Sequence, residues 1–400
     1  MPSRSRPAAE ASPPWIAYVG PIVFPWGQAA SRRVYGVARS LMETGHNVVV
    51  ASGESGPPDV TPVETDSVAA SLAHIGLDEL PRDGDDRIEK VRKVVLGWGG
   101  RTVAWLDSQP RKPSHVVLYG GGAQYMYRLK KWCRQHRVRL IVDVVEWYDP
   151  KQFTGGVLGP LHVSAKLALR HQYPRADGII AISTLLESYY RDRGRRTVRI
   201  PPTLDVKSVE SGTGSAPGGK LRLVYAGTPG KKDLLANIVT GAAMADPDGS
   251  RLELAVIGPA AAEVATLLGR AELPPAVHVL GKMPQHEVGA VLARSDFSVL
   301  LRERMRFADA GFPTKFVESL SRGTPAIANL TGDLKFHLTD GVEGIVCPDH
   351  SAAGFAEAVR RALTLAPERR REMRHHAREQ AVRSFDYRQY VKPLRQFLGA

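Results

Sequence analysis

The stretch RERMRFADAGFPTKFVESLSRGTPAIAN, residues 302–329, concentrates residue types that suit a phosphorylated, hydroxyl-bearing ligand. Gly311 lets backbone approach a ligand closely, Pro313 suits the first turn of a helix, and Gly323 suits its end. The amides of Thr314 and Lys315 then stand as unsatisfied donors at a helix start, a ready phosphate site to which the Lys315 ammonium adds charge. Helical side chains lean towards the N-terminus, so Glu318 points back to the same end. A carboxylate there can accept both hydroxyls of a ribose.

A second cluster is VYAGTPGKKDLL, in which Gly227 and Gly230 bracket a turn and Lys231 and Lys232 are expected to open the next helix. Lysines at a helix start oppose the macrodipole, so the pair is better explained by a bound anion than by helix stability. In GPIVFPWGQAASRRV, Gly20 and Gly27 allow tight turns, Ser31 is expected to cap a helix beginning near Arg32, and Arg32 with Arg33 suits an anion. DVVEWYDP offers Asp143, Glu146 and Asp149, of which Glu146 is the choice for a residue facing a substrate hydroxyl. Gly120 to Gly122 permits another close approach. The acidic pairs Asp83 with Asp85 and Asp246 with Asp248 read as a charged loop and a turn before a strand, so no metal site is expected from them.

These residues need a frame that brings strand ends together. Short β-branched runs at Trp15–Val19, Asn47–Ala51, His115–Tyr119, Arg139–Val144 and Gly178–Ile182 read as buried parallel strands. Between them lie helical patterns; Val34, Val37, Ala38, Leu41 and Met42 follow helical spacing, and Gly45 sits at the C-cap position. Beyond the polar stretch Lys207 to Lys220 the grammar repeats, with strands at Leu221–Ala226, Leu252–Ile257, Val277–Leu280, Phe297–Leu301, Ala326–Asn329 and Ile345–Cys347. The expectation is α/β: two Rossmann-like, doubly wound domains over 14–203 and 204–383, facing an interdomain cleft.

The chain has 400 residues, 43% hydrophobic and 24% charged, ordinary values for a globular protein that buries a sizeable core. Two cysteines, Cys133 and Cys347, stand outside any metal-ligand spacing, which fits a reducing, cytoplasmic setting. Residues 1–13 hold no apolar segment and are expected to form a disordered tail rather than a secretory signal. No apolar run reaches the ~18 residues that span a bilayer. The formal charge of +13 calls for nucleic acid, an anionic membrane face or a phosphate-bearing small molecule. The basic segments RLKKWCRQHRVR and PERRREMRHHAR read as solvated helix faces dense enough to be drawn to anionic lipid, and LGPLHVSAKLAL adds an apolar neighbour.

In its 311–318 segment the chain resembles the retaining GT-B glycosyltransferases of family 4, and the likeness spans nearly the whole sequence. Gly311, Phe312, Thr314, Lys315 and Glu318 match the family's glycine-rich turn and glutamate helix, which implies a site for sugar, diphosphate and ribose with Glu318 on the ribose. The resemblance puts the family's arginine and lysine pair on Thr228 and one of Lys231 or Lys232, so the arginine is missing. A further family glutamate falls on Ala310, with Asp309 beside it as the substitute. Gly27 matches a glycine near the diphosphate, Lys282 and Met283 would lie near the base, and residues 384–400 look like the helix that returns to the first domain.

The resemblance implies a retaining, metal-independent transferase without a cofactor, moving a sugar from a nucleoside-diphosphate sugar to a hydroxyl acceptor such as a glycan, a lipid-linked glycan or a secondary metabolite. UDP-sugar is the first choice of co-substrate, ahead of GDP-sugar and dTDP-sugar. The catalytic cations are Lys231, Lys232 and Lys315, which stabilise the leaving phosphate. Peripheral contact with the inner membrane face is part of the expectation, nucleic acid is not, and the sequence leaves the oligomeric state open. The rivals are a sugar-nucleotide epimerase of the same fold, with Asp309 or Glu146 as its acid or base, and a non-catalytic basic binding protein.

Overall fold

The structure, a computed structural model, describes residues 13–27, 29–56, 59–63, 70–82, 84–86, 89, 93, 97–150, 156–216, 218–227, 233–270 and 272–399. Two sheets organise them. The first runs β1 (Trp15–Gly20), β2 (Asn47–Ser52), β3 (Thr61–Val63), β4 (Leu72–Gly76), β5 (His115–Tyr119), β6 (Arg139–Val144), β7 (Gly178–Ala181) and β8 (Thr197–Arg199). Its spatial order is β3-β4-β2-β1-β5-β6-β7-β8. β1 pairs in parallel with β2 and β5, whereas the edge strand β3 runs antiparallel to β4.

The second sheet holds β9 (Leu221–Ala226), β10 (Leu252–Ile257), β11 (Val277–Gly281), β12 (Phe297–Leu300), β13 (Ala326–Ala328) and β14 (Gly344–Val346), in the order β11-β10-β9-β12-β13-β14. All of its pairings are parallel. The chain winds one way from β9 and the other way from β12, so the winding reverses between these two neighbours. Ligands of open parallel sheets bind beyond the strands' carboxyl ends at such a reversal. In the first sheet the corresponding place lies between β1 and β5, where a Cβ on Gly20 would sit 2.6 Å from the Tyr119 carbonyl oxygen.

Contacts divide the chain into two compact units: Met1–Val142 with Arg175–Gly178 and Val391–Ala400, and Asp143–Pro174 with Ile179–Tyr390. In the first unit the strand residues Ile16, Ala17, Val48 and Val116 are fully buried, as expected for strands covered on both faces. The helix Val391–Leu398 is held there by Arg139, which donates to the Leu398 carbonyl at 2.8 Å, and by the Phe397 ring against Gly178. In the second unit Leu223, Tyr225, Ile238, Phe297, Ile327 and Phe355 share one core.

Three local expectations change. The first helix covers Ala29–Met42, starting before Ser31; the Ser31 hydroxyl donates back to the Val23 carbonyl at 2.8 Å, ties the preceding loop and is no cap. Arg33, expected with Arg32 to suit an anion, is buried. The helix after β9 begins at Leu235, beyond Asp233, rather than at the lysine pair, so the macrodipole argument does not apply to that pair. No helix among the described residues is long and apolar enough to cross a membrane.

Candidate active site

The carboxyl ends of β9 and β12 gather charge. Lys315, in the first turn of the helix Thr314–Ser321, places its ammonium 2.5 Å from Oδ2 of Asp233. Arg302, two residues beyond β12, donates from Nε to Oδ1 of the same carboxylate at 2.8 Å. The Tyr225 hydroxyl donates to Asp233 at 3.3 Å, and its ring lies 4.3 Å from the Lys315 ammonium. Burial works to raise the Asp233 carboxyl, but the charges and hydrogen bonds of Lys315 and Arg302 override it and hold the group at about 2. Burial lowers the Lys315 ammonium, against the pull of Asp233, and burial with Asp233 raises the Tyr225 phenol. Two cations on one carboxylate leave a net positive charge, which a bound anion would complete.

Gly227 sits where a Cβ would be 2.8 Å from Nζ of Lys315, with φ +148°. Its N–H donates to the Ile257 carbonyl at 2.9 Å, so the turn after β9 is pinned to β10. Thr228, Lys231 and Lys232 lie outside the described residues, as does Asp83. The helix Thr314–Ser321 places Thr314 and Lys315 in its first turn and Glu318 one turn further on; Pro313 is its N-cap rather than a first-turn residue. Its first amides have no capping side chain, which leaves them available to an anion. Glu318 is 9 % exposed.

The approach to that helix is structured from both sides. Gly311 ends the short helix Arg306–Ala310 with φ −88°, so close approach there is a matter of size rather than of handedness. Phe312 is buried with its ring 5.6 Å from both His337 and Phe385, which puts its side chain in an aromatic core. Asp309 accepts from the Gly332 amide at 2.7 Å, so one carboxylate oxygen secures the turn after β13. The Ser183 hydroxyl donates to the Ala310 carbonyl at 2.7 Å, and Asp333 accepts from the amide and hydroxyl of Thr184 at 2.8 and 3.0 Å.

Glu146 follows β6, and its neighbour Trp147 carries the Arg306 guanidinium 3.9 Å above its ring, which joins that loop to the 306–310 helix. Trp147, Tyr148, His162, Arg170, Arg306 and Phe307 line a cavity of about 320 Å³. Lys282 is exposed after β11, and Met283 packs beside Val224 and Ile257. Gly27 belongs to the first unit, exposed, with φ +112°. Asp246 and Asp248 accept backbone amides of Arg251, Leu252 and Ser250, a turn that these carboxylates stabilise locally.

Asp233, Arg302 and Asn329 were not singled out in the sequence. Asn329 accepts from the Arg302 amide at 2.9 Å and donates to its carbonyl at 2.7 Å, fixing the chain where it leaves β12. The usable signal is position: Asp233 closes the turn after β9, while Arg302 and Asn329 follow β12 and β13.

Residues 215–380 match the family model of glycosyl transferases group 1, and residues 28–203 match that of the glycosyl transferase 4-like domain. No curated protein matches the sequence. Among solved structures, the chain is similar to sucrose-phosphate synthase from Thermosynechococcus elongatus, with TM-score 0.71 and 16% identity over 96% of this chain and 98% of that one. It is similar to Anabaena HepE in complex with UDP-glucose, with TM-score 0.66 and 13% identity over 96% and 99%. An E. coli trehalose-6-phosphate protein bound with UDP-2-fluoro glucose gives TM-score 0.65 and 12% identity over 96% and 98%. With the fold shared with these structures and family models matched along both halves, the chain belongs to the group 1 glycosyltransferases of the GT-B fold.

Proposed function

We propose that the chain moves a sugar from a nucleoside-diphosphate sugar to a hydroxyl acceptor, with retention of the anomeric configuration and without a metal ion. The observation that carries this reading is the Lys315 ammonium, held by Asp233 at the end of β9 and belonging to the first turn of a helix whose amides are uncapped. A diphosphate there meets a cation and the positive end of a helix at once. As the bond between the anomeric carbon and the phosphate oxygen breaks, negative charge builds on the diphosphate, so groups aimed at it favour the transition state over the bound substrate. Glu318 takes the ribose hydroxyls, Gly311 and Thr314 offer backbone to the sugar and phosphates, and Glu146 receives the acceptor hydroxyl. Lys231 or Lys232, Gly27, Gly227, Asp309, Lys282 and Met283 complete the proposed set.

UDP is the favoured nucleotide because the HepE and E. coli structures hold UDP-glucose and UDP-2-fluoro glucose. GDP-sugar and dTDP-sugar rank below it. A cytoplasmic setting is read from the two free cysteines, and peripheral attraction to anionic lipid from the basic composition and the exposed Val157, Leu158, Val163 and Leu167. The test is incubation with a panel of UDP-, GDP- and dTDP-sugars and simple hydroxyl acceptors, followed by NMR of the products. A glycoside with the donor's anomeric configuration is expected; an inverted glycoside would remove retention, and an isomerised sugar nucleotide without a glycoside would establish an epimerase.

A further inference from the structure

We propose that Arg302 is a cation of the donor-diphosphate site and that Asp233 is the positioning residue that sets it beside Lys315. The proposal deepens the donor-binding reading above and rests on it. Arg302 is 9 % exposed, and its backbone is fixed on both sides by Asn329 and by an antiparallel bridge to Asp233. Its guanidinium spends one donor, Nε, on Asp233 at 2.8 Å. Among the described residues nothing accepts from its two terminal nitrogens.

Arg374 shows what a structural arginine does in this protein. It is 8 % exposed, and its terminal nitrogens donate to the carbonyls of Ser295 at 2.7 Å and Ala293 at 3.0 Å, which ties the end of one helix to another. Arg302 has the burial of Arg374 without its acceptors. A guanidinium held by Nε presents its remaining N–H groups as a planar fork, the geometry that suits two phosphate oxygens.

The rest of the cluster points to the same class of ligand. Lys315 gives one of its three ammonium protons to Asp233, so it too keeps donors. One carboxylate between two cations fixes their spacing and lowers their mutual repulsion, yet leaves a net charge of about +1 to be met by an anion. The cluster stands where the winding of the second sheet reverses, between β9 and β12, and next to the uncapped start of the Thr314–Ser321 helix. A diphosphate fits all three features, whereas a nucleoside alone would meet none of them.

The experiment compares UDP with uridine on the full chain and on Arg302→Ala, Arg302→Gln and Asp233→Asn, by calorimetric titration and ligand-observed NMR; GDP and guanosine, or dTDP and thymidine, replace them if the wild type prefers that base. Arg302→Ala is expected to lose about 10- to 100-fold in affinity for UDP, the worth of a hydrogen bond to a charged group, with uridine binding unchanged. Asp233→Asn should lose UDP affinity in the same selective way. Where Arg302→Ala does not fold, Arg302→Gln keeps the stem and a donor without the charge, and the ratio of UDP to uridine affinity decides. UDP affinity within twofold of wild type in these variants, or an equal fall for UDP and uridine, overturns the proposal and leaves the donor-site reading standing. A wild type that binds uridine and UDP alike, or none of the nucleoside diphosphates, overturns both.

Discussion

Gly227 and Lys315 leave no room for a side chain between them: a Cβ on residue 227 would lie 2.8 Å from the Lys315 ammonium, in a backbone conformation with φ +148°. Any larger residue at 227 therefore pushes Nζ off Asp233 and strains the turn, at a cost of about 1–3 kcal/mol for the backbone alone. For Gly227→Ala we expect a modest drop in melting temperature and a larger loss of turnover with the donor sugar. Wild-type turnover in this variant would separate Lys315 from the chemistry.

Glu318 and Lys315 share a helix but have different tasks. Glu318→Ala should weaken donor binding about 10- to 100-fold, with a smaller effect on turnover. Lys315→Ala should cut turnover about 10²- to 10³-fold and affinity less, because its charge matters most as the diphosphate departs. Steady-state kinetics on both variants check the split, and an equal effect on binding and turnover in both would contradict it.

Acid should reveal Asp233. Its carboxyl lies at about 2 in the folded chain against an ordinary 3.8, so it adds stability that is fully present above the ordinary value. That stability is lost as pH falls through the folded value. The melting-temperature gap between wild type and Asp233→Asn is expected to stay constant from pH 7 to about 5 and to narrow by pH 3. A gap of the same width at pH 3 as at pH 7 would show that the carboxylate charge is not what the two cations hold.

Phe385 is fully buried, with rings of His337, Phe312 and Phe316 at 4.9, 5.6 and 6.1 Å. This cluster backs the turn 311–313 that leads into the Thr314–Ser321 helix. Phe385→Ala should cost about 3–5 kcal/mol, read by chemical denaturation. Conversely, Phe385→Leu, which refills most of the space, should recover more than half of that loss.

Much of this frame was legible in the sequence because buried parallel strands are short runs of mostly apolar residues: His115–Tyr119, Arg139–Val144, Leu221–Ala226 and Leu252–Ile257 end where the pattern ends. Three strands of the first sheet were not. Thr61–Val63 and Thr197–Arg199 have three residues each, too few for a period, and His74 interrupts Leu72–Gly76. The helix carrying Thr314, Lys315 and Glu318 was readable from local signals, proline before it and glycine after it. The partners of Lys315 were not, since Asp233 and Arg302 are 82 and 13 residues away in sequence and meet it only through strand order. Phe312 shows the converse limit: its place in a sequence pattern says nothing of where its ring packs.

The proposed activity requires the reversal point of the second sheet to bind a nucleoside diphosphate. Isothermal titration of the purified protein with UDP, GDP, dTDP and ADP, without added metal, tests it most directly. Saturable binding of one of them, UDP first, lost or strongly weakened in Glu318→Ala, is the expected result; heats no different from buffer for all four would contradict the account.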